Sequence, residues 1–309
     1  MSLDFLVAGC TGLVGRTLVE HLKNLGADVL GISSKDADLR EYLEAENVMR
    51  KLKPKVVIDA AARVGGISYN NQYPVDFLLD NIRIQNNLMQ AAHVTDVKKF
   101  VFLGSSCIYP RLAEQPIREE SLMTGPLEST NSAYAVAKIA GIELLNSYRK
   151  QFNREWISLM PTNIYGPYDN FNQDRGHVVP ALISRFHEAK VSNQKGVKVW
   201  GTGNARREFL FSRDLADAII FCIENYNEEG HINIGTGEDV SIRELAYLIS
   251  DEVGFKGELQ FDLGMPDGTP RKLLDVSRIR DMGWKPRVSL REGIRETVKW
   301  YQETSNRRA

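Results

Sequence analysis

Tyr134 and Lys138 stand four residues apart at the start of a segment, Tyr134 to Gln151, whose apolar residues recur at helical spacing. That spacing sets both side chains on one helical face. A phenol ionises near pH 10, and an ammonium beside it favours the phenolate. A tyrosine so placed can pass a proton to a carbonyl oxygen while a serine hydroxyl steadies the same oxygen. A serine is available, because the run Lys99 to Leu103 leads directly into Gly104-Ser105-Ser106-Cys107. By spacing alone, Tyr134 and Lys138 read better as a surface pair on a helix. Their order along the chain, after a glycine-rich turn and a strand-end serine, is what points to chemistry.

The turn is Gly9-x-x-Gly12-x-x-Gly15, with Thr11, Leu13 and Val14 between the glycines. The first glycine permits a tight turn, the second lets backbone approach a pyrophosphate, and the third lets a helix pack on a sheet. The helix start beyond it offers unpaired N–H groups to an anion. A plain turn is the alternative, and the position between the first strand and the first helix weighs against it. About 20 residues on, an NAD enzyme usually carries a carboxylate for the ribose 2′-hydroxyl. This chain has Ser33-Ser34-Lys35 there, with Asp36 next. Hydroxyls and a lysine suit a 2′-phosphate, so the expected cofactor is NADP.

These groups need a scaffold, and the first 165 residues supply a regular one. Strand-like runs at Phe5 to Ala8, Asp28 to Ile32, Lys55 to Ala60, Lys99 to Leu103 and Trp156 to Met160 alternate with helical segments. Continuous apolar strands between helices predict an α/β fold with a doubly wound parallel sheet, and ligand sites on such sheets lie beyond the strand carboxyl ends. After Pro161 the rhythm breaks. A helix over Val179 to Lys190, a strand over Lys198 to Trp200 and a helix over Arg213 to Glu224 are expected, with short irregular elements over 254 to 275. The expected division is a nucleotide-binding domain at 1–165 with a return segment at about 197–235, and a smaller substrate-binding domain at 166–196 and 236–309. The length of 309 residues suits about two domains.

Composition narrows the class. Apolar residues at 43% and charged residues at 26% describe an ordinary globular chain and exclude a disordered or low-complexity one. The net charge of -1, without a basic stripe, argues against nucleic-acid binding. No apolar run reaches the ~18 residues of a membrane span, and the first residues show no leader pattern. Cys10, Cys107 and Cys222 cannot all pair and have no metal-ligand spacing. A cytoplasmic protein without membrane or metal is expected.

The order of glycine turn, strand-end serine and tyrosine–lysine pair resembles the extended short-chain dehydrogenase/reductases. Longer stretches narrow this. Ala62-Arg63-Val64-Gly65-Gly66-Ile67, Gly104-Ser105-Ser106-Cys107-Ile108-Tyr109-Pro110 and Met160-Pro161-Thr162-Asn163-Ile164-Tyr165-Gly166-Pro167 are similar to the GDP-L-fucose synthase family. So are Asp169-Asn170-Phe171, His177-Val178-Val179-Pro180 and Pro266-Asp267-Gly268-Thr269-Pro270-Arg271-Lys272, in the same order over nearly the whole chain.

The resemblance implies a Rossmann domain with a smaller sugar-nucleotide domain, and a reaction. GDP-4-keto-6-deoxy-D-mannose is epimerised at C3 and C5 and then reduced by NADPH at C4. A C4 ketone acidifies both neighbouring C–H bonds, so a base and an acid must flank one sugar. By resemblance these are Cys107 and His177. A free thiol ionises near 8.5 and an imidazole near 6.5. Ser105, Tyr134 and Lys138 carry the reduction. The implied cofactor contacts are Gly9, Thr11, Gly12, Leu13, Val14 and Gly15, then Ser33, Ser34 and Lys35. Leu103, Gly104, Ser105, Ser106, Lys138, Pro161, Thr162, Asn163, Ile164 and His177 complete them. Arg185, Trp200, Arg207 and Asp267 are the implied substrate contacts, and Lys272 is a further cation suited to the diphosphate.

Thr11 departs from relatives that carry an arginine there, which bears on one phosphate contact. A homodimer through residues 76–95 and 134–151 is expected, with the nucleotide sugar as the small-molecule partner. Another nucleotide-sugar reductase, epimerase or dehydratase is the alternative within the fold. A non-enzymatic NADP-binding module is the alternative outside enzymes, and the presence of both Tyr134 and Lys138 argues against it.

Overall fold

The computed structural model describes residues 3–265 and 267–306; Pro266, in one of the resembling stretches, lies outside them. Four buried apolar runs build the central sheet: β1 (Phe5–Ala8), β3 (Val56–Asp59), β4 (Lys99–Leu103) and β5 (Ile157–Pro161), with β2 (Val29–Ile32) at one edge. Between them run α1 (Leu13–Asn24), α2 (Tyr42–Leu52), α3 (Ile67–Gln72), α4 (Pro74–Val94) and α5 (Ser132–Phe152). Each stops for a local reason. For example, α2 ends at Lys53 in the left-handed region, one residue before Pro54, which disfavours helix in what precedes it.

The six strands are parallel in the order β2-β1-β3-β4-β5-β9, where β9 is His231–Ile234. The chain leaves β1 toward β2 and later returns to β1's other side with β3. Ala8 is therefore in register with both Ile32 and Asp59. The crevice over the β1/β3 junction is the switch point at which such sheets bind ligands. The doubly wound parallel sheet expected from sequence is present.

A second, smaller core lies beyond β5. It combines β6 (Asn163–Tyr165), α6 (Val178–Val191), β7 (Gly196–Trp200), β8 (Arg206–Phe211), β10 (Asp239–Ser241) and α8 (Ile242–Val253). The later chain adds β11 (Glu258–Asp262), β12 (Arg271–Lys272) and α10 (Leu290–Asn306). Val179, Ile183, Phe186, Val199, Phe211, Ile249 and Val298 are among its buried members.

Two expectations need correction here. The strand at Gly196–Trp200 pairs in parallel with β11 and buries Val197 and Val199 in the second core. The return to the large sheet therefore begins later, with α7 (Ser212–Asn225) against α1 and then β9 beside β5. Residues 254–275, expected to be irregular, contain both β11 and β12. In β11 Glu258, Gln260 and Asp262 alternate with Leu259 and Phe261, the period-2 pattern of a half-buried strand, which is short and bounded by turn residues on both sides.

A buried carboxylate ties the two cores together. Glu208 is 0% exposed, and its Oε1 accepts from the N–H groups of Thr236 (2.6 Å) and Gly237 (2.7 Å) while Oε2 accepts from Leu274 N–H (3.0 Å). The carbonyl of the same residue accepts from Asn163 Nδ2 at 2.7 Å and Thr162 Oγ1 at 3.3 Å. One residue of β8 thus fixes the end of β5, the turn after β9 and the chain beyond β12. α9 (Ser277–Asp281) then closes on β9.

Candidate active site

The glycine turn has the backbone that its spacing predicts. Gly9 has φ +81°, and a Cβ there would come within 2.6 Å of the Ala60 carbonyl oxygen. A Cβ on Gly15 would run into the Gly9 carbonyl. Gly12 caps α1 without a side chain, so the first N–H groups of the helix, at Leu13 and Val14, are covered by no capping oxygen. Space that only glycine leaves, beside an uncapped helix start, fits a dinucleotide pyrophosphate.

At the tip of β2 the three predicted residues divide. Ser33 is buried, and its hydroxyl and N–H donate to the Asp36 carboxylate at 2.7 and 2.8 Å. Those bonds hold Asp36 below the usual carboxylate range. Ser34 and Lys35 stay exposed beside it.

Beyond β4 the chain makes a short 3-10 turn, Ser106–Ile108, capped by Ser105, whose Oγ accepts from Cys107 N–H at 3.3 Å. Tyr134, in the first turn of α5, lies close enough to Ser105 for the serine hydroxyl to act on its phenol. Lys138 lies one helical turn deeper, 3% exposed, and its Nζ donates to the Leu103 carbonyl at 2.8 Å. Ser105, Cys107, Tyr134 and Lys138 are thus gathered at one strand end. Leu103, Gly104 and Ser106 form the backbone around them, with Gly104 against the Met160 side chain.

The expected lowering of the Tyr134 pKa by Lys138 is not what dominates. Burial comes first and pushes the phenol well up; the nearby Cys107 and Asp59 add to this, and only the Ser105 hydroxyl opposes it. Lys138 Nζ sits 5.9 Å from the Tyr134 ring centre. The phenol is therefore a protonated donor across the neutral range, the form that a developing alkoxide requires.

Around Cys107 the structure adds groups that the motif does not contain. Sγ accepts from Asn131 Nδ2 at 3.3 Å and from Lys272 Nζ at 3.6 Å. Arg207 is close enough to interact with the same sulfur, and with Glu128 and Asp267. Lys272, read from sequence as a diphosphate contact, stands at the thiol instead. Asn131 has only one sequence signal, its place three residues before Tyr134.

His177 is the N-cap of α6. The residue keeps solvent-accessible surface, yet the protein packed around its imidazole desolvates it and favours the neutral form. Among the described residues no hydrogen bond joins it to Cys107. Its loop is fixed from the other side: Gly66 N–H donates to the Arg175 carbonyl at 3.1 Å, and a Cβ on Gly66 would lie 2.8 Å from the Gly176 carbonyl oxygen. From Gly66 the chain enters α3, which leans on the 3-10 turn Ser129–Asn131 that brings Asn131 to the thiol.

The remaining candidates line the second core. Arg185 lies 5.0 Å over the Trp200 ring and donates to the Gln173 carbonyl at 3.0 Å. Asp267 uses both carboxylate oxygens to hold Thr202, at 2.8 Å to its N–H and 2.8 Å to its hydroxyl, and so braces the turn after Trp200. Asn163 and Thr162 face Glu208, as described above, between Pro161 and Ile164 in the strand-end link.

The family model for NAD dependent epimerase/dehydratases matches residues 5–235. The chain belongs to that family. Its relatives include synthases of the kind that the motifs indicated. A GDP-L-fucose synthase 1 from Arabidopsis thaliana is 50% identical over 301 residues, covering 97% of this chain and 93% of that protein. A GDP-L-fucose synthase from Escherichia coli strain K12 is 46% identical over 311 residues, covering 97% of each. A GDP-L-fucose synthetase from Naegleria fowleri, solved with NADP bound, superposes with a TM-score of 0.91 at 32% identity, covering 99% of this chain and 96% of that one.

Proposed function

We propose that this chain is an NADPH-dependent GDP-L-fucose synthase, which epimerises GDP-4-keto-6-deoxy-D-mannose at C3 and C5 and reduces it at C4. The observation that carries this reading is the convergence of a protonated Tyr134, Ser105 and a doubly hydrogen-bonded Cys107 at the end of β4. It does so in a chain about half identical to named synthases from end to end.

NADPH, when bound, supplies hydride. Gly9, Gly12 and Gly15 leave it room, and the start of α1 with Thr11, Leu13 and Val14 meets its pyrophosphate. Ser34 and Lys35 meet its 2′-phosphate. Tyr134 gives a proton to the C4 oxygen, which Ser105 holds by hydrogen bond. Cys107, as the thiolate that the Asn131 and Lys272 donors stabilise, takes the proton from C3 and from C5, and the negative charge passes to the C4 oxygen of the enolate. His177 returns a proton to the opposite face. Arg185 and Arg207 meet the diphosphate, and Trp200 lines the sugar side.

The test is turnover in deuterated water. Oxidation of one NADPH per product, deuterium at C3 and C5, and slower turnover with NADH are expected. Product without net cofactor oxidation would indicate a 4-epimerase instead.

The assembly proposed is a homodimer through α4 and α5, where Val75, Leu79 and Val136 lie exposed. Apolar side chains grouped on a helix pair are readily covered by a second copy. Light scattering is expected to give twice the mass of 34.9 kDa, and a monomer would count against this face. Among the described residues no helix is long and apolar enough to cross a membrane. Free Cys10, Cys107 and Cys222 suit a reducing cytoplasm.

A further inference from the structure

One buried ionisable group has no part in the chemistry above. Asp59 ends β3 and is 1% exposed. Its Oδ1 accepts from Ala61 N–H at 3.1 Å, while Oδ2 is buried and has no hydrogen-bond partner among the described residues. An unpaired carboxylate oxygen in a protein interior is costly and calls for a compensating charge.

The register shows where that charge comes from. Asp59 is paired with Phe102 of β4, and registered neighbours send their side chains to the same face of a sheet. The Phe102 ring lies 4.7 Å from Lys138 Nζ, which spends one of its three N–H donors on the adjoining Leu103 carbonyl. The roof of this chamber is tight. A Cβ on Gly141 would touch the Phe102 ring and lie 3.0 Å from the Gln85 amide carbon. Gln85 is itself buried, bonded through Nε2 to the Ala137 carbonyl at 2.6 Å, with Oε1 unpartnered among the described residues.

Few charged or titratable groups face the chamber. From α5 come Lys138 and Tyr134; Cys107, in the turn after β4, acts on Tyr134, and the neutral Gln85 of α4 borders Gly141 beside the Phe102 ring. Arg63, in the segment after β3, turns away to Asp76 and Asp80 at 2.8 and 2.9 Å.

We propose that Asp59 is the counter-charge of Lys138, a positioning residue that keeps the buried ammonium charged beneath Tyr134. The role for Lys138 in reduction rests on the function proposed above, whereas the charge pairing itself does not. Burial acts on both partners in the sense that pairing opposes. It lowers the Lys138 pKa, against which Asp59 pulls upward, and it pushes Asp59 up to about 6, against which Lys138 pulls downward. The two titrate as a coupled pair.

The experiment follows the 15Nζ signal of Lys138 by NMR through a pH titration, with the signal identified by its absence in Lys138→Arg. Wild type is compared with Asp59→Asn and Asp59→Leu. The leucine variant fills the chamber with apolar volume and keeps the test usable if the amide variant folds poorly. Loss of the carboxylate is expected to lower the Lys138 midpoint by about one pH unit or more. The alkaline limb of kcat for NADPH oxidation should move down with it.

Titration curves that superimpose on wild type overturn the proposal, even if kcat falls uniformly, since that would mark Asp59 as a packing residue. A shifted Lys138 midpoint in a chain that oxidises no NADPH would keep the pairing and remove the reductase reading instead.

Discussion

Tyr134→Phe is expected to lower kcat for NADPH oxidation by about 10²–10⁴-fold while the Kd for NADPH stays within about twofold, the loss typical of removing a positioned acid. The substitution deletes one oxygen and little else. Phe77 meets the Tyr134 ring edge-on at 6.4 Å between centres, a contact that phenylalanine keeps. Lys138 in α5 remains bonded to the Leu103 carbonyl at the end of β4, and Ser105 keeps its bond to Cys107 N–H. The proton donor to the C4 oxygen is lost, and Ser105 alone cannot both hold that oxygen and protonate it. Stopped-flow traces under single turnover, with cofactor binding measured separately, distinguish this from weakened binding. Equal single-turnover rates for the two proteins would take Tyr134 out of the mechanism. Because burial holds the phenol in its protonated form, the wild-type rate should show no loss of this acid between pH 6 and 8.

The parts of this site that sequence makes legible are those carried by local signals in a fixed order. Gly9, Gly12 and Gly15 sit at one turn, and their spacing alone implies that side chains are excluded there. Ser105 and the pair Tyr134 and Lys138 are placed by a strand end and a helical period. Lys272 is different. It reaches Cys107 because β12 runs beside β8, with Lys272 opposite Arg207, and no periodicity in the residues around 271 announces that pairing. Asn131 lies in a 3-10 turn whose position depends on α3, far away in sequence. Asp267 resembles a substrate contact by type, but the turn it braces belongs to residues 201–202. The influence of Lys138 on Tyr134 differs from the sequence expectation for a related reason. Spacing tells which groups are neighbours, whereas depth decides whether charge or desolvation sets a pKa, and depth is a property of the packed molecule.

Cys107→Ser is expected to cut deuterium incorporation at C3 and C5 by at least about 100-fold. Reduction of a 4-keto sugar that needs no epimerisation should stay within a few fold of wild type. Serine preserves the site's shape and can still accept from Asn131 and Lys272, so positions of neighbours should change little. It cannot supply the base, because an alcohol is a far weaker acid than a thiol and leaves almost no anion at neutral pH. Tyr134 and Ser105 are untouched, which is why reduction should survive.

His177→Gln divides the two half-reactions further. If Cys107 removes protons and His177 returns them, the glutamine variant should still wash substrate hydrogen out into solvent on one face, while inversion at C3 and C5 is lost. Mass spectrometry reports the exchange, and proton NMR of the sugar ring reports the configuration. Loss of exchange and of reduction together in Cys107→Ser would mean that the sulfur, with Lys272 and Arg207 around it, binds the sugar and does not deprotonate it. Exchange that persists in Cys107→Ser but stops in His177→Gln would reverse the assignments and make the imidazole the base.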